Sequence, residues 1–155
     1  MANKKIKNAN NKEYNGIKFK SLLEVTIYKT LLQEGFNNIK YEPKTFVIWE
    51  GFKPSIPFYN KDKETGLLKQ ETKKIIDIKY TPDFIFDYKG LTIFIEAKGF
   101  ENDVFYIKKK LFRKFLENEI NKNNNFRPLY FEIYNKKQLL QTINIIKDYD
   151  TNRRN

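Results

Sequence analysis

"YTPDFIFDYKGLTIFIEAKG", residues 80–99, is the stretch on which the fold turns. Two apolar runs flank Tyr88-Lys89-Gly90, the pattern of a buried β-hairpin. The second arm, Leu91 to Ala97, is apolar on both faces, as a central strand covered on both sides of its sheet requires. Charge gathers at the end away from the turn. Asp83 opens the first arm, Glu96 closes the second and Lys98 follows, where burial is costly without a partner or a metal.

Pairing through the turn sets positions equidistant from it opposite one another, which brings Asp83 and Glu96 to the same end of the hairpin. Side chains alternate along a strand, so Glu96 and Lys98 point to one face and Ala97 to the other. Two close carboxylates repel, and one takes up a proton unless a cation lies between them. A divalent ion held by both polarises a phosphodiester and lowers the pKa of a bound water. Lys98 can orient or deprotonate that water, or offset the charge building on phosphorus. Each residue also has a plain structural role: Asp83 as a turn residue after Pro82, and Glu96 with Lys98 as a same-face ion pair at a sheet edge.

Composition narrows the chemistry. With 155 residues, 40% hydrophobic and 16% aromatic, one packed core is the default. The sequence holds neither cysteine nor histidine, which excludes disulfides, thiolate catalysis and every imidazole-based mechanism. Acid, base and metal chemistry must run on carboxylates, lysine, tyrosine and water, and oxygen ligands select a hard cation such as Mg²⁺ or Mn²⁺. A formal charge of +11 favours a polyanionic partner, nucleic acid before an anionic membrane surface. No apolar run has transmembrane length and the basic N-terminus lacks the apolar segment of a signal peptide, so a cytoplasmic protein is expected.

Around the hairpin the elements fall in order. Residues 1–15, rich in Asn and Lys, read as a flexible basic arm, residues 16–150 as a single domain, and 151–155 as a disordered tail. A helix is expected from Ser21 to Glu34 with Leu23, Ile27 and Leu31 buried and Gly35 as its stop. A strand follows at Thr45–Trp49. Residues 53–74 read as an exposed excursion or a mobile hairpin, and 74–80 as a strand. A helix capped by Asn102 or Asp103 is expected over 103–118, with Val104, Ile107, Leu111 and Phe115 inward and Lys108, Lys109, Lys110, Arg113 and Lys114 on the other face. Leu129–Tyr134 is a strand, and Lys136–Asp148 a last helix with Leu139, Leu140, Ile143, Ile145 and Ile146 apolar. A mixed α/β sheet with helices on both faces satisfies all of these stripes. Tyr80, Phe100 and Phe105 are expected in the core or the wall of a pocket rather than as base-stacking platforms.

"TPDF" (81–84) followed by "EAKG" (96–99) resembles the signature of the PD-(D/E)xK nuclease superfamily, with wording similar to that of phage Holliday-junction resolvases. The resemblance spans roughly residues 21–116 and implies a restriction-endonuclease-like α/β fold. By resemblance, Asp83, Glu96 and the Ala97 backbone carbonyl bind Mg²⁺, with Mn²⁺ able to substitute, and Lys98 serves the attacking water. Members also carry an acidic residue on an N-terminal helix, and Glu24 falls there. Ser21 and Glu24 equally form a capping box in which Glu24 only satisfies backbone N–H groups. The implied activity is a metal-dependent endonuclease on DNA, four-way junctions favoured, acting as a homodimer without a membrane. The alternatives are a nicking or restriction-type phage nuclease, a catalytically silent DNA-binding module of the same fold, and an RNA or anionic-membrane binder using the basic tails. Lys20, Lys108, Lys109 and Arg113 are the expected DNA contacts; the long segment between Glu24 and Asp83 bears on specificity.

Overall fold

A computed structural model describes residues 12–149. Residues 1–11 of the expected arm and the expected tail at 151–155 lie outside that range. The part of the expected arm that is described is structured: β1 (Glu13–Tyr14) pairs antiparallel with β2 (Ile17–Lys18). Asn15 and Gly16, at φ 50° and 74°, form the turn, and an Asn-Gly pair is among the strongest short-range hairpin signals even in lysine-rich surroundings.

The hairpin that organises the sequence organises the sheet. Strands β8 (Phe84–Tyr88) and β9 (Leu91–Ala97) pair antiparallel, with Tyr88 opposite Leu91 and Phe84 opposite Ile95. Lys89 and Gly90 make the two-residue loop at φ 47° and 80°. Two positive φ values are what a type I′ turn requires, and its twist matches the strands it joins. On one side of β9 lies β10 (Pro128–Ile133), parallel to it; beyond β8 lies β3 (Lys40–Tyr41), antiparallel, giving the order β10-β9-β8-β3. Parallel neighbours need a long crossover, and α2 (Asp103–Lys122) supplies it.

Alternation along β9 sorts the two layers. Leu91, Ile93 and Ile95, with Phe84, Phe86 and Ile133, pack against α1 (Leu22–Gln33) and α3 (Lys136–Asp148) through Ile27, Leu31, Leu139, Ile143 and Ile146. Phe94 points the other way, into Phe105, Phe112 and Leu116 of α2 and Phe46 of β4 (Phe46–Trp49). The mixed sheet with helices on both faces is therefore present. Strand β4 pairs antiparallel with β7 (Ile78–Tyr80), so the strand expected over 74–80 shortens to three residues, with a single bridge from Ile75 to Phe52 before it. Within the excursion, β5 (Phe58–Lys61) and β6 (Leu68–Glu71) form a hairpin exposed along its whole length.

The helix ends match their capping residues: Ser21, Asn102 and Asn135 each accept a backbone N–H of the first turn. Two buried stripes differ from expectation. On α2 the inward residues are Phe105, Phe112 and Leu116, whereas Val104 and Ile107 are exposed, because the aromatic cluster of Tyr80, Phe94 and Phe46 is better filled by two Phe rings than by aliphatic side chains. On α3, Leu140 and Ile145 are exposed. No described helix is long and apolar enough to cross a membrane.

Candidate active site

Phe84 faces Ile95, so the next pair outward is Asp83 and Glu96. Both are buried, at 8% and 4% exposure. They point, as Phe94 does, to the α2 side of the sheet, where Tyr80 and Phe105 close around them. One cleft of about 460 Å³ is lined by Asp83, Glu96, Ala97, Lys98, Glu24, Lys20 and Lys108, together with Glu42, Lys79 and Tyr80.

Each carboxylate is held by its own donors. The backbone N–H of Ala97 donates to Asp83 Oδ2 at 2.7 Å. Tyr80 donates its hydroxyl to Glu96 Oε2 at 2.6 Å, and its oxygen lies 2.9 Å from the Tyr130 hydroxyl. Lys98 Nζ sits 2.7 Å from Glu96 Oε1, so Glu96 and Lys98 share a face as alternation demands. The same ammonium lies 4.0 Å from the Phe105 ring centroid, a cation–π contact. Phe105 is fixed in turn by the first turn of α2, its N–H bound to Asn102 at 2.8 Å. The ammonium is thus positioned from two sides.

Burial pushes the Asp83 carboxyl up to about 7, with the charge of Glu96 adding to it and the Ala97 N–H partly opposing. Burial raises Glu96 as well, against the lowering effect of Lys98 and Tyr80. Tyr80 and Tyr41 are both held well above the ordinary phenol range, by burial first and then by the carboxylates they serve, so both stay protonated donors. Among the described residues Asp83 forms no ion pair, while Glu96 has Lys98. The pair is short of one positive charge.

The donor set tests a metal directly. All ligating atoms available here are oxygens, as a hard cation needs, and Mg²⁺ is usually held by one or two carboxylates with water and phosphate oxygens completing the shell. Among the described residues no group of three or more acidic side chains is arranged to hold an ion alone. Of the four carboxylates that line the cleft, Asp83, Glu96, Glu24 and Glu42, the apposed pair Asp83 and Glu96 fits that mode.

Glu24, 5% exposed, forms the expected cap and also lines the cleft. Ser21 Oγ accepts its N–H and donates to Oε1 at 2.9 Å, and Oε2 receives the Lys20 N–H at 2.9 Å and the Tyr41 hydroxyl at 2.6 Å. Its oxygens are therefore engaged in capping, yet it lines the cleft and its charge raises Asp83. Lys20 is ion-paired with Glu42. Lys108 lines the cleft. Lys109 does not: it is turned inward on α2 and bound to Glu101 at 2.9 Å and Glu132 at 3.3 Å. Arg113 borders a separate hollow with Glu117, Tyr130 and Glu132. Phe105 is buried as expected, but Phe100 is 84% exposed.

Four residues at the site were not foreseen: Lys79, which lines the cleft from β7, Tyr41, Glu42 and Tyr130. Tyr41 and Glu42 arrive with β3, whose pairing beside β8 joins segments more than forty residues apart; Glu42, at φ 43°, anchors itself to the Asp83 carbonyl through its N–H at 2.7 Å. Tyr130 arrives on β10. No short pattern encodes such pairings, and only Pro43 marks the bend after Glu42. A scan of protein-family models, a search of curated proteins and a search of solved structures each find no match to this chain.

Proposed function

We propose that this protein is a metal-dependent endodeoxyribonuclease of restriction-endonuclease-like fold, hydrolysing DNA phosphodiesters in the Asp83–Glu96–Lys98 cleft, with branched DNA as its favoured substrate. One observation carries the reading: two buried, mutually repelling carboxylates are apposed beside one lysine, in a cleft that Lys20, Lys79 and Lys108 also line. Carboxylates in such a place are poised for a divalent cation, and the lysines for phosphate.

Asp83, Glu96 and the Ala97 carbonyl would hold Mg²⁺ or Mn²⁺. When bound, that ion supplies a water of lowered pKa and neutralises charge on the phosphoryl oxygens. The chain's own groups do the rest. Tyr80 and the Ala97 N–H orient the two carboxylates. Lys98, supported by Phe105, serves the attacking water and offsets the charge that builds on phosphorus. Hydrolysis adds one water across one P–O bond, leaving a phosphomonoester and a hydroxyl, with no need of histidine. Glu24 adds negative potential behind Asp83 while holding the start of α1 to the cleft wall. A homodimer would allow two strands to be cut together.

Supercoiled plasmid tests this. The protein is expected to nick or linearise it with Mg²⁺ or Mn²⁺ and to stop with EDTA; Asp83→Ala and Lys98→Ala are expected to lose at least about 10²-fold in rate. No cleavage with either ion would remove the enzyme, and an unimpaired variant would remove the site. A four-way junction cut faster than a linear duplex of the same sequence would favour a resolvase over a nicking or restriction-type nuclease. A second reading, a silent DNA-binding module, is favoured by the full engagement of both Glu96 oxygens by Tyr80 and Lys98; it predicts binding without cleavage.

A further inference from the structure

Beside the cleft runs an apolar strip that the core does not use. Phe100 sits between Lys98 and Asn102, both cleft residues, and is 84% exposed. Val104, itself in the cleft wall, is 61% exposed, and Ile107 one turn further along α2 is 55% exposed. Scattered surface hydrophobes need no explanation, but Val104 lines the cleft, Ile107 shares its helix face one turn on, and Phe100 lies in the short link between the cleft residues Lys98 and Asn102. Lys108 lines the cleft, and helical spacing sets Lys110 and Lys114 on the other side of the Val104–Ile107 face, with the Lys110 ammonium 4.1 Å from the Tyr106 ring centroid.

We propose that Phe100, with Val104 and Ile107, is a stacking surface for an unpaired nucleobase of the DNA strand that enters the cleft. The inference rests on the DNA reading above and sharpens its substrate class. A nucleobase offers an apolar π-face with anionic phosphates on either side, which is the complement of an apolar strip between lysines. Bases inside a continuous duplex hide their faces against each other. The occupant is therefore DNA with an unstacked nucleotide: a junction centre, flap, bulge or single strand. The basic flanks disfavour a second copy of this +11 chain as the occupant, since like charges would meet.

Fluorescence anisotropy without divalent cation tests the proposal on three probes: a paired duplex, the same duplex with a one-base bulge, and its single strand. Phe100→Ala is expected to weaken the bulged and single-stranded probes about 5- to 100-fold and the duplex by less than about twofold, with Phe100→Trp restoring affinity. Phe100 is exposed, so thermal melting should find the variants folded. Equal weakening on all probes, or none, overturns the stacking surface while duplex binding leaves the DNA reading standing. Failure of the unaltered protein to bind any probe overturns the DNA reading itself. A dimer in sedimentation velocity, or binding to phosphatidylserine vesicles, that Phe100→Ala abolishes would assign the strip to another occupant and overturn the proposal.

Discussion

Asp83 is the charge in this protein least able to remain a charge. In an unfolded chain an aspartate ionises near 4, whereas in the fold burial and Glu96 raise Asp83 to about 7. Between those values the folded state keeps a proton that the unfolded state has released, so the stability this group contributes is full below about 4 and is lost as the pH rises toward 7. Glu96, also raised, acts in the same direction. Asp83→Asn, which keeps an acceptor for the Ala97 N–H, is therefore expected to melt about 2–10 °C above the unaltered protein at pH 8 in EDTA, with the gap closing toward pH 4. Mg²⁺ or Mn²⁺ should raise the melting temperature of the unaltered protein at pH 8 but not that of the variant. A gap constant across pH would refute the assignment. Asp83, Glu96 and Lys98 were legible in the sequence because one hairpin contains all three. Glu24 was legible as a cap and as a site neighbour at once, and its geometry joins the two. Tyr80 was read as a wall and proves to be the donor that fixes Glu96.

At the scale of the element, α2 shows what periodicity leaves open. Its apolar residues are spread around the helix, and two stripes, one through Val104 and Ile107 and one through Phe105 and Phe112, satisfy a helical repeat equally well. Tertiary packing chooses: the aromatic cluster takes Phe105 and Phe112, and the rotation carries Lys109 inward to Glu101 and Glu132 while Lys108 reaches the cleft. Adjacent lysines thereby acquire different work. Lys108→Ala is expected to weaken DNA binding and to lower the slope of log affinity against log salt by about 1, with little change in a urea melt. Lys109→Ala is expected to do the reverse, lowering the melting temperature by a few degrees and changing DNA affinity by less than about twofold. Identical effects of the two substitutions would contradict the rotation. The starts of α1 and α3 were better specified, since Ser21 and Asn135 mark them, although Leu140 and Ile145 of α3 are exposed.

Across the whole molecule, the element order after the β1–β2 hairpin and the mixed sheet covered on both faces followed from the sequence, because a seven-residue strand with apolar side chains on both faces has no other place than the centre of a covered sheet. The partners of β3 and β10 did not, since they depend on segments far apart in the chain. The central hairpin differs in this respect, being local and closed by the two-residue turn at Lys89-Gly90. Local contacts are closed cheaply and form early, whereas the parallel β9–β10 pair must await α2. If the hairpin is formed at the folding barrier, Asp83 and Glu96 are already forced together there. Ionisation then slows folding more than it speeds unfolding. In a chevron measured in EDTA, the folding limb should be faster at pH 5 than at pH 8, and Asp83→Asn should remove most of that difference; a pH effect confined to the unfolding limb would place the hairpin late. The apposition proposed to take a cation makes the chain's own negative charge a brake on reaching the native state.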